Sequence, residues 1–468
     1  MLGSQHIEID AKDFLKGFSS HSEIADGGLS PDSEAINPIV VPGVIYAPAA
    51  GVDSDTDTRL TDEIIASSPD MVSFAGTNRL LVTEAGKACR YNGTKVSAAE
   101  VALTAGYTYT KGFTDIIVYK GEAYVTAKNG ITRWDNADLI DDGANFPFAF
   151  TNTNRPHPAL VFEDNAFFGD RNLLVRLTSA GGLPATILTL SVDQEITALG
   201  IDRGTGKMLI ATVNSLNISG TIPQIAKLHW YDGFSNKPLK TVVVDAPIYG
   251  LWELSSTTYV GYGQNLGYLS GSGIEFLRKL LNVTLDSEDL PYKHNFANIA
   301  NRLFVVDGAK ILCFGEIVRG QKTFWYAYKN QLSSVKFKCI FDAGNNKLGF
   351  SFATSKFYTV DISANANLDK LDVYTNWLKF PRPVLLRSLY LACKGSIAST
   401  ANFSVAFVNR ESDSTALVPG VGTMTSIFVV PDIIGFKPNK NTEVRIRIQN
   451  STENDGIIRM ILYYDWAE

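Results

Sequence analysis

From Met71 onward the chain alternates short apolar runs with polar, glycine-rich turns. The pattern is clearest between Asp115 and Asp135. There Ile116-Ile117-Val118-Tyr119, Ala123-Tyr124-Val125-Thr126 and Ile131-Thr132-Arg133-Trp134 are separated by Lys120-Gly121 and Asn129-Gly130. Runs of about four β-prone residues bounded by Gly or Asn turns predict three strands of a tight meander. Related units begin near Met71, Ala159, Ile196, Ile248, Phe296 and Ile340. The starts lie roughly 40 to 50 residues apart, the length of a four-stranded propeller blade. A single meander cannot bury both of its faces, whereas radial stacking lets each sheet cover its neighbours, and closing the ring protects the edges. The expected fold is therefore all-β: a β-propeller of about seven blades over residues 67–365, with six also fitting the spacing. A two-sheet sandwich would alternate similarly, and the regular spacing favours the propeller. Trp134-Asp135 stands alone, without the Gly-His partners of a WD40 blade.

The pattern changes on either side. Residues 1–66 are rich in Gly, Ser, Asp and Pro with short apolar islands, and read as an extended arm. Within it, Ile39, Val40, Val41, Pro42, Gly43, Val44, Ile45 and Tyr46 read as two short β segments around a Pro-Gly turn. Such a segment suits addition to a partner's sheet edge, and packing on its own domain is the equal alternative. Near residue 366 polar residues and Pro381-Arg382-Pro383 mark a boundary. Residues 366–468 carry strand candidates at Val384 to Cys393, Phe403 to Val408, Ser426 to Val430, Glu443 to Gln449 and Gly456 to Tyr464, and predict a β-sandwich or jelly-roll-like domain. Val444 to Gln449 alternates strictly, as a half-buried strand does. Ile457 to Tyr464 is apolar on both faces except at Arg459, which predicts cover on both sides and makes Ile457, Ile461 and Tyr463 interface candidates. Ser272 to Leu281 has helical spacing interrupted by Gly271 and Gly273 and is read as a loop excursion.

Candidate chemistry is thin. Asp53-Ser54-Asp55-Thr56-Asp57 resembles the first half of a calcium loop, but Thr58 stands where the turn needs Gly and Ile64 where a bidentate Glu belongs. A solvated acidic turn is the expectation. His6, His21, His157, His229 and His294 never form the close pairs of zinc enzymes, and His229 beside Trp230 reads as a packed histidine. Cys89, Cys313, Cys339 and Cys393 form no C-x-x-C motif and read as buried thiols. There is no G-x-S-x-G elbow and no Ser-x-Asp-x-Gly-x-Thr-Trp turn of the sialidase kind. Asp135, Asp142, Asp164, Asp170 and Asp202 would permit a carboxylate pair at a central funnel, yet acids in surface turns are the ordinary case. The expectation is a protein without catalysis, cofactor or metal.

Composition narrows the partners. With 45% hydrophobic and 19% charged residues over 468 positions, a packed interior is feasible. A net charge of -6 with scattered Lys and Arg argues against a broad nucleic-acid surface. No stretch of about 18 apolar residues exists to span a membrane. His6, Glu8, Asp10 and Asp13 interrupt any secretion-signal core in the first residues.

The polar arm, the divergent blades and the terminal run Ile457-Ile458-Arg459-Met460-Ile461-Leu462-Tyr463-Tyr464 together resemble virion proteins of tailed bacteriophages, of the tail hub or nozzle propeller type. The resemblance is one of architecture over most of the chain. It implies a rigid, ring-forming structural component assembled in the bacterial cytoplasm and carried in the virion tail or neck. Its implied partners are a portal-side adaptor and other tail proteins, with nucleic acid only passing through a ring lumen. The alternative is a carbohydrate-binding or carbohydrate-cleaving propeller, such as a receptor-binding protein, lectin or glycosidase.

Overall fold

The computed structural model describes residues 5–10, 52–53, 62–69, 79–92, 101–103, 106–134, 148–214, 224–271, 273–283, 290–329, 336–352, 356–363, 372–382, 384–394, 403–409, 416–419, 426–429, 443–450 and 456–466. The segment Val41 to Tyr46, Asp135, Asp142 and most of the calcium-like string lie outside them. The chain is an all-β protein. Contacts divide it into two units: residues 52–309 with 330–359, and residues 1–51 with 310–329 and 360–468.

Seven four-stranded antiparallel sheets follow one another along the chain, spanning 64–102, 116–149, 159–189, 195–244, 248–279, 296–329 and 337–361. Each is a meander whose first strand is innermost: Ile64–Ser67, Ile116–Tyr119, Ala159–Phe162, Glu195–Asp202, Ile248–Leu254, Phe296–Ile299 and Phe337–Gly344. This is a β-propeller. Apolar residues of alternating register pack each sheet on the next. Leu199, Met208 and Ile210 of the fourth sheet meet Phe162, Phe167 and Leu174 of the third. Ala198, Leu209 and Leu228, one residue out of phase, meet Ile248, Leu251 and Val260 of the fifth. Period-two alternation thus gives both faces of one sheet a buried job, so the inner blade strands lack a polar face while outer ones such as Lys240–Val244 are largely exposed.

Two features join the first and last sheets. Val52–Asp53 supplies the outermost strand of the seventh sheet, pairing with Lys356–Asp361. Ile64, Leu81, Cys89 and Tyr91 pack on Cys339, Phe341, Ala343 and Phe357. A two-residue ladder contributes only about 1 kcal/mol per net hydrogen bond. Each large side chain buried in the cluster contributes roughly 1.5–3 kcal/mol, so packing closes the ring and the short strand only covers the edge. Lys338 adds ion pairs to Glu63 (3.2 Å) and Glu84 (3.6 Å) across the same junction.

Several expectations change. The first blade starts at Ile64, inside the segment read as an arm, and Ile64, Ile65 and Ala66 are fully buried. Gly273–Lys279 is an outer strand, not a loop excursion: it pairs with Asn265–Ser270, whose edge satisfies its backbone as a helical turn interrupted by glycine could not.

In the other unit, Gln5–Asp10, Gly456–Trp466, Val384–Lys394 and Ser426–Val429 form one sheet in that order. Asp372–Tyr374, Glu443–Asn450, Phe403–Asn409 and Ala416–Pro419 form the second, with Leu378–Lys379 also on Glu443–Asn450. Ile446 and Ile448 are buried, while Arg445 and Arg447 on the opposite face lie over the Tyr374 ring at 4.7 and 5.0 Å. Gly456–Trp466 alternates rather than being covered on both faces: Met460 and Leu462 are fully buried, whereas Ile461 and Tyr463 are half-buried. Strands flank the segment on both edges, with Tyr463 opposite His6 and Ser388.

Candidate functional site

A propeller brings its innermost strands to one axis, and here that axis is occupied by the chain itself. Residues 290–295 enter between the fifth and sixth sheets and end in the 3-10 turn Lys293–Asn295. The turn is held locally by Asn295 N donating to Tyr292 O (2.9 Å) and Asn295 Nδ2 donating to Leu290 O (2.8 Å). Glycines make room for it. A Cβ on Gly250 or Gly261 would lie 2.4 or 2.6 Å from the Pro291 carbonyl oxygen, and one on Gly112 would lie 2.4 Å from the Tyr292 ring. Gly250 and Gly261 are cross-strand partners, so the fifth sheet offers bare backbone at the point of contact.

The plug is fastened by one carboxylate. Asp115, 5% exposed, begins the second blade and accepts Lys293 Nζ on both oxygens (3.0 Å each) and faces His294 Nε2 at 3.1 Å. It also accepts the amides of Ile116 (2.7 Å) and Ala159 (2.8 Å), while Lys293 donates to the Ala159 carbonyl (3.0 Å). Burial alone pushes this carboxyl up. The Lys293 ammonium and the His294 ring more than reverse that and hold it well below the usual carboxylate range. Lys111, also buried, reaches the seventh sheet by donating to the Phe337 carbonyl (2.8 Å).

Beside the plug lies a cleft of about 220 Å³ lined by Ser68, Arg79, Trp252, Lys293, Phe296 and Asp342 among others. Trp252 stacks on Phe296 at 6.3 Å, and Arg79 Nη1 donates to the Ser68 carbonyl (2.8 Å). A second cleft, of about 360 Å³, opens between the fourth and fifth sheets around Trp230, Lys240, Lys207 and Asp202.

The other sequence candidates sit apart from the axis. Asp164 is in an exposed hairpin turn at φ 58°. Asp170 is buried and accepts the Thr151 and Asn152 amides (2.9 and 3.0 Å). Asp202 accepts Gly204 N (2.9 Å), Thr205 Oγ1 (2.6 Å) and Trp230 Nε1 (2.7 Å). These acids are therefore turn and packing residues and form no carboxylate pair. His229 is packed between Thr212 Oγ1 and Thr241 Oγ1, and burial lowers its pKa to about 4. His157 lies against the Phe150 ring at 3.6 Å, with its ring nitrogens facing the carbonyls of Gly169 and Lys128. Cys89, Cys313 and Cys339 are buried thiols, and burial pushes Cys339 up to about 12. Among the described residues no group of three or more His, Cys, Asp or Glu is placed to hold a metal, and no helix is long and apolar enough to cross a membrane.

Sequence reasoning missed the Asp115, Lys293 and His294 cluster. Asp115 and His294 were visible as residues, but 179 positions separate them, and only ring closure makes them neighbours. It also missed where apolar side chains face water. Every large exposed hydrophobic among the described residues falls between Leu183 and Leu281: Val243 (67% exposed) and Phe276 (61%) on outer strands, and the rest, including Val192 (74%) and Phe234 (66%), in turns and connections of the third to fifth blades.

No protein-family model matches the chain, and no curated protein matches it in sequence. Among solved structures the chain is similar to YCF48 bound to a D1 peptide, at 11% identity and a TM-score of 0.43 over 67% of this chain and 96% of that one. It is similar to BamB from Moraxella catarrhalis at 13% identity and a TM-score of 0.40, over 70% of this chain and 93% of that one. It is likewise similar to YCF48 from Cyanidioschyzon merolae at 12% identity and a TM-score of 0.42, over 67% of this chain and 98% of that one.

Proposed function

We propose that this chain is a protein-binding scaffold that works without catalysis, and that its place is the tail or neck of a tailed bacteriophage, as a hub or nozzle-like ring component. The observation that carries the scaffold reading is the contrast between axis and rim. The axial acid is fully engaged by Lys293, His294 and two backbone amides, which leaves it no lone pair to offer a substrate. The large apolar side chains that face water among the described residues are instead confined to the stretch from Leu183 to Leu281. Large apolar side chains left in water favour contact with another protein when they gather on one surface, whereas a general acid or nucleophile needs an accessible, poised group.

The virion placement rests on the architectural resemblance of the polar arm, the blades and the terminal strand, and so do the adaptor and tail-protein partners and the homo-oligomeric ring. Electron microscopy and peptide mass spectrometry of native virions test it together. The expected result is a ring at the tail or neck containing peptides of this chain. Absence from every particle and a strictly monomeric purified chain would overturn the placement.

A further inference from the structure

The cleft beside the axial plug has the lining of a binding site. Its walls come from the inner strands of the fifth, sixth and seventh sheets, through Trp252, Phe296 and Asp342, and from Ser68 just past the inner strand of the first. The Trp252 ring is half-buried and lies nearly parallel, at 14°, to that of the fully buried Phe296, which fixes its orientation. At about 220 Å³ the cleft has room for a single small ring and not for a length of chain.

The polar groups around it divide into spent and open. Lys293 Nζ uses its protons on the two Asp115 oxygens and the Ala159 carbonyl. Arg79 donates to the Ser68 carbonyl at 2.8 Å. The Ser68 hydroxyl donates to the Pro69 carbonyl (2.8 Å) and accepts the Leu80 amide (2.9 Å). Asp342 differs. One of its oxygens accepts the Gly344 amide at 2.8 Å, and the other has no hydrogen bond or ion pair among the described residues. Asn298, an exposed residue of the sixth sheet's inner strand that also lines the cleft, has an unengaged carboxamide by the same measure. The open groups are therefore one carboxylate oxygen, which only accepts, and one amide, which both donates and accepts.

Charge decides among ligands. An anion would meet the Asp342 carboxylate while both nearby cations are spent on acceptors of the chain. A cation would gain that carboxylate and the indole face but would sit among Arg79 and Lys293. A neutral molecule with hydroxyl groups around an apolar face meets neither penalty. A pyranose ring is such a molecule: its C–H face suits an aromatic ring, and each hydroxyl donates once and accepts twice. A hydroxyl donating to a carboxylate makes a charge-assisted bond, roughly twice as strong as a neutral one. We propose that this cleft binds one uncharged pyranose ring, stacked on Trp252 and hydrogen-bonded to Asp342 and Asn298. The sugar is held intact, because glycoside cleavage takes a pair of carboxyl groups and Asp115, the other acid of the axis, is closed off by Lys293 and His294. The site goes beyond the scaffold reading and does not depend on it.

The test uses the full chain and saturation-transfer NMR with the methyl glycosides of glucose, galactose, mannose and N-acetylglucosamine, alongside adenosine and sialic acid. At least one neutral glycoside is expected to bind saturably, with transfer concentrated on the protons of one ring face. Asp342→Asn should weaken that binding at least tenfold and Trp252→Leu should abolish it. Asn298→Ala, at an exposed position where the fold is not at stake, should weaken it at least threefold. Binding by none of the four glycosides, binding unchanged in both Asp342→Asn and Asn298→Ala, tighter binding of adenosine or sialic acid, or release of nitrophenol from the p-nitrophenyl form of the bound sugar would overturn the proposal. None of these outcomes bears on the protein-binding scaffold, whose failure is read from virions and from the oligomeric state.

Discussion

Replacing Asp115 by asparagine probes what holds the axis together. Asparagine keeps the shape but removes the charge and turns an amide nitrogen toward the Lys293 ammonium, the His294 ring or a backbone amide that Asp115 now accepts. Removing one partner of a buried ion pair costs about 3–5 kcal/mol, because the other charge remains buried and unpaired. The Lys293 side chain is 26% exposed, so solvent relieves part of that penalty and the lower end, about 3 kcal/mol, is expected. With a urea dependence of roughly 3 kcal/mol per molar, the unfolding midpoint followed by tryptophan fluorescence falls by about 1 M at pH 7. Lys293→Met is destabilising by itself, and the double variant recovers part of the loss, with a coupling energy of at least about 1.5 kcal/mol. The pH dependence follows from the sign of the shift. The native carboxyl lies below the ordinary value of 3.8, so its contribution is fully present above that value and is lost as pH falls further, through the native pKa. The gap between wild type and Asp115→Asn therefore persists from pH 7 to pH 5 and narrows only below about 4. A gap under about 1 kcal/mol at pH 7, or one that vanishes between pH 7 and 5, would refute the account of the plug as charge-fastened.

Two further outcomes check the packing and the buried histidine. Gly250→Ala places a methyl 2.4 Å from the Pro291 carbonyl oxygen and is expected to cost about 1–3 kcal/mol by overpacking; Gly206→Ala, at φ 67° in open space, should cost about 1 kcal/mol through backbone strain alone. Thermal melts that rank the two in the reverse order would contradict the plug contact. For His229, the native pKa is lowered to about 4 from 6.5, so the unfolded chain binds the proton first as pH drops. Stability is lost progressively from about pH 6.5 to pH 4, by on the order of 3 kcal/mol in all. His229→Gln should flatten that slope, and an NMR titration of the ring with a midpoint near 6.5 would contradict it.

Local pairing is what made the blades legible. Ile116–Tyr119 and Glu122–Thr126 are joined by a two-residue turn, and their partners lie within ten positions of each other, so alternation and turn chemistry suffice to recognise them. The five strand candidates of the terminal region were readable from apolar runs and alternation alone, since their partners are distant, as Val384 opposite Trp466 and Phe403 opposite Asn450 show. Ile64–Ser67 escaped because three apolar residues after a polar stretch look like an island until Phe341 and Phe357 cover Ile64 on one face and Ile116 and Val125 cover Ile65 and Ala66 on the other. Gly273–Lys279 escaped because a short outer strand with one buried residue, Arg278, carries no clean period. Two-sided cover was read into Ile457 to Tyr464 from apolar character alone, and apolar character does not report which face is filled.

The sequence by itself determined the class of structure and the rhythm of its sheets, since hydrogen-bonded meanders are specified by neighbours along the chain. Only the tertiary structure decided which strand completes the seventh sheet, that Lys293 and His294 meet Asp115 on the axis, and which apolar side chains between Leu183 and Leu281 stay in water. Those outcomes depend on how many wedges close a circle and what is left at its centre and rim, which is a property of the closed ring and of no segment within it.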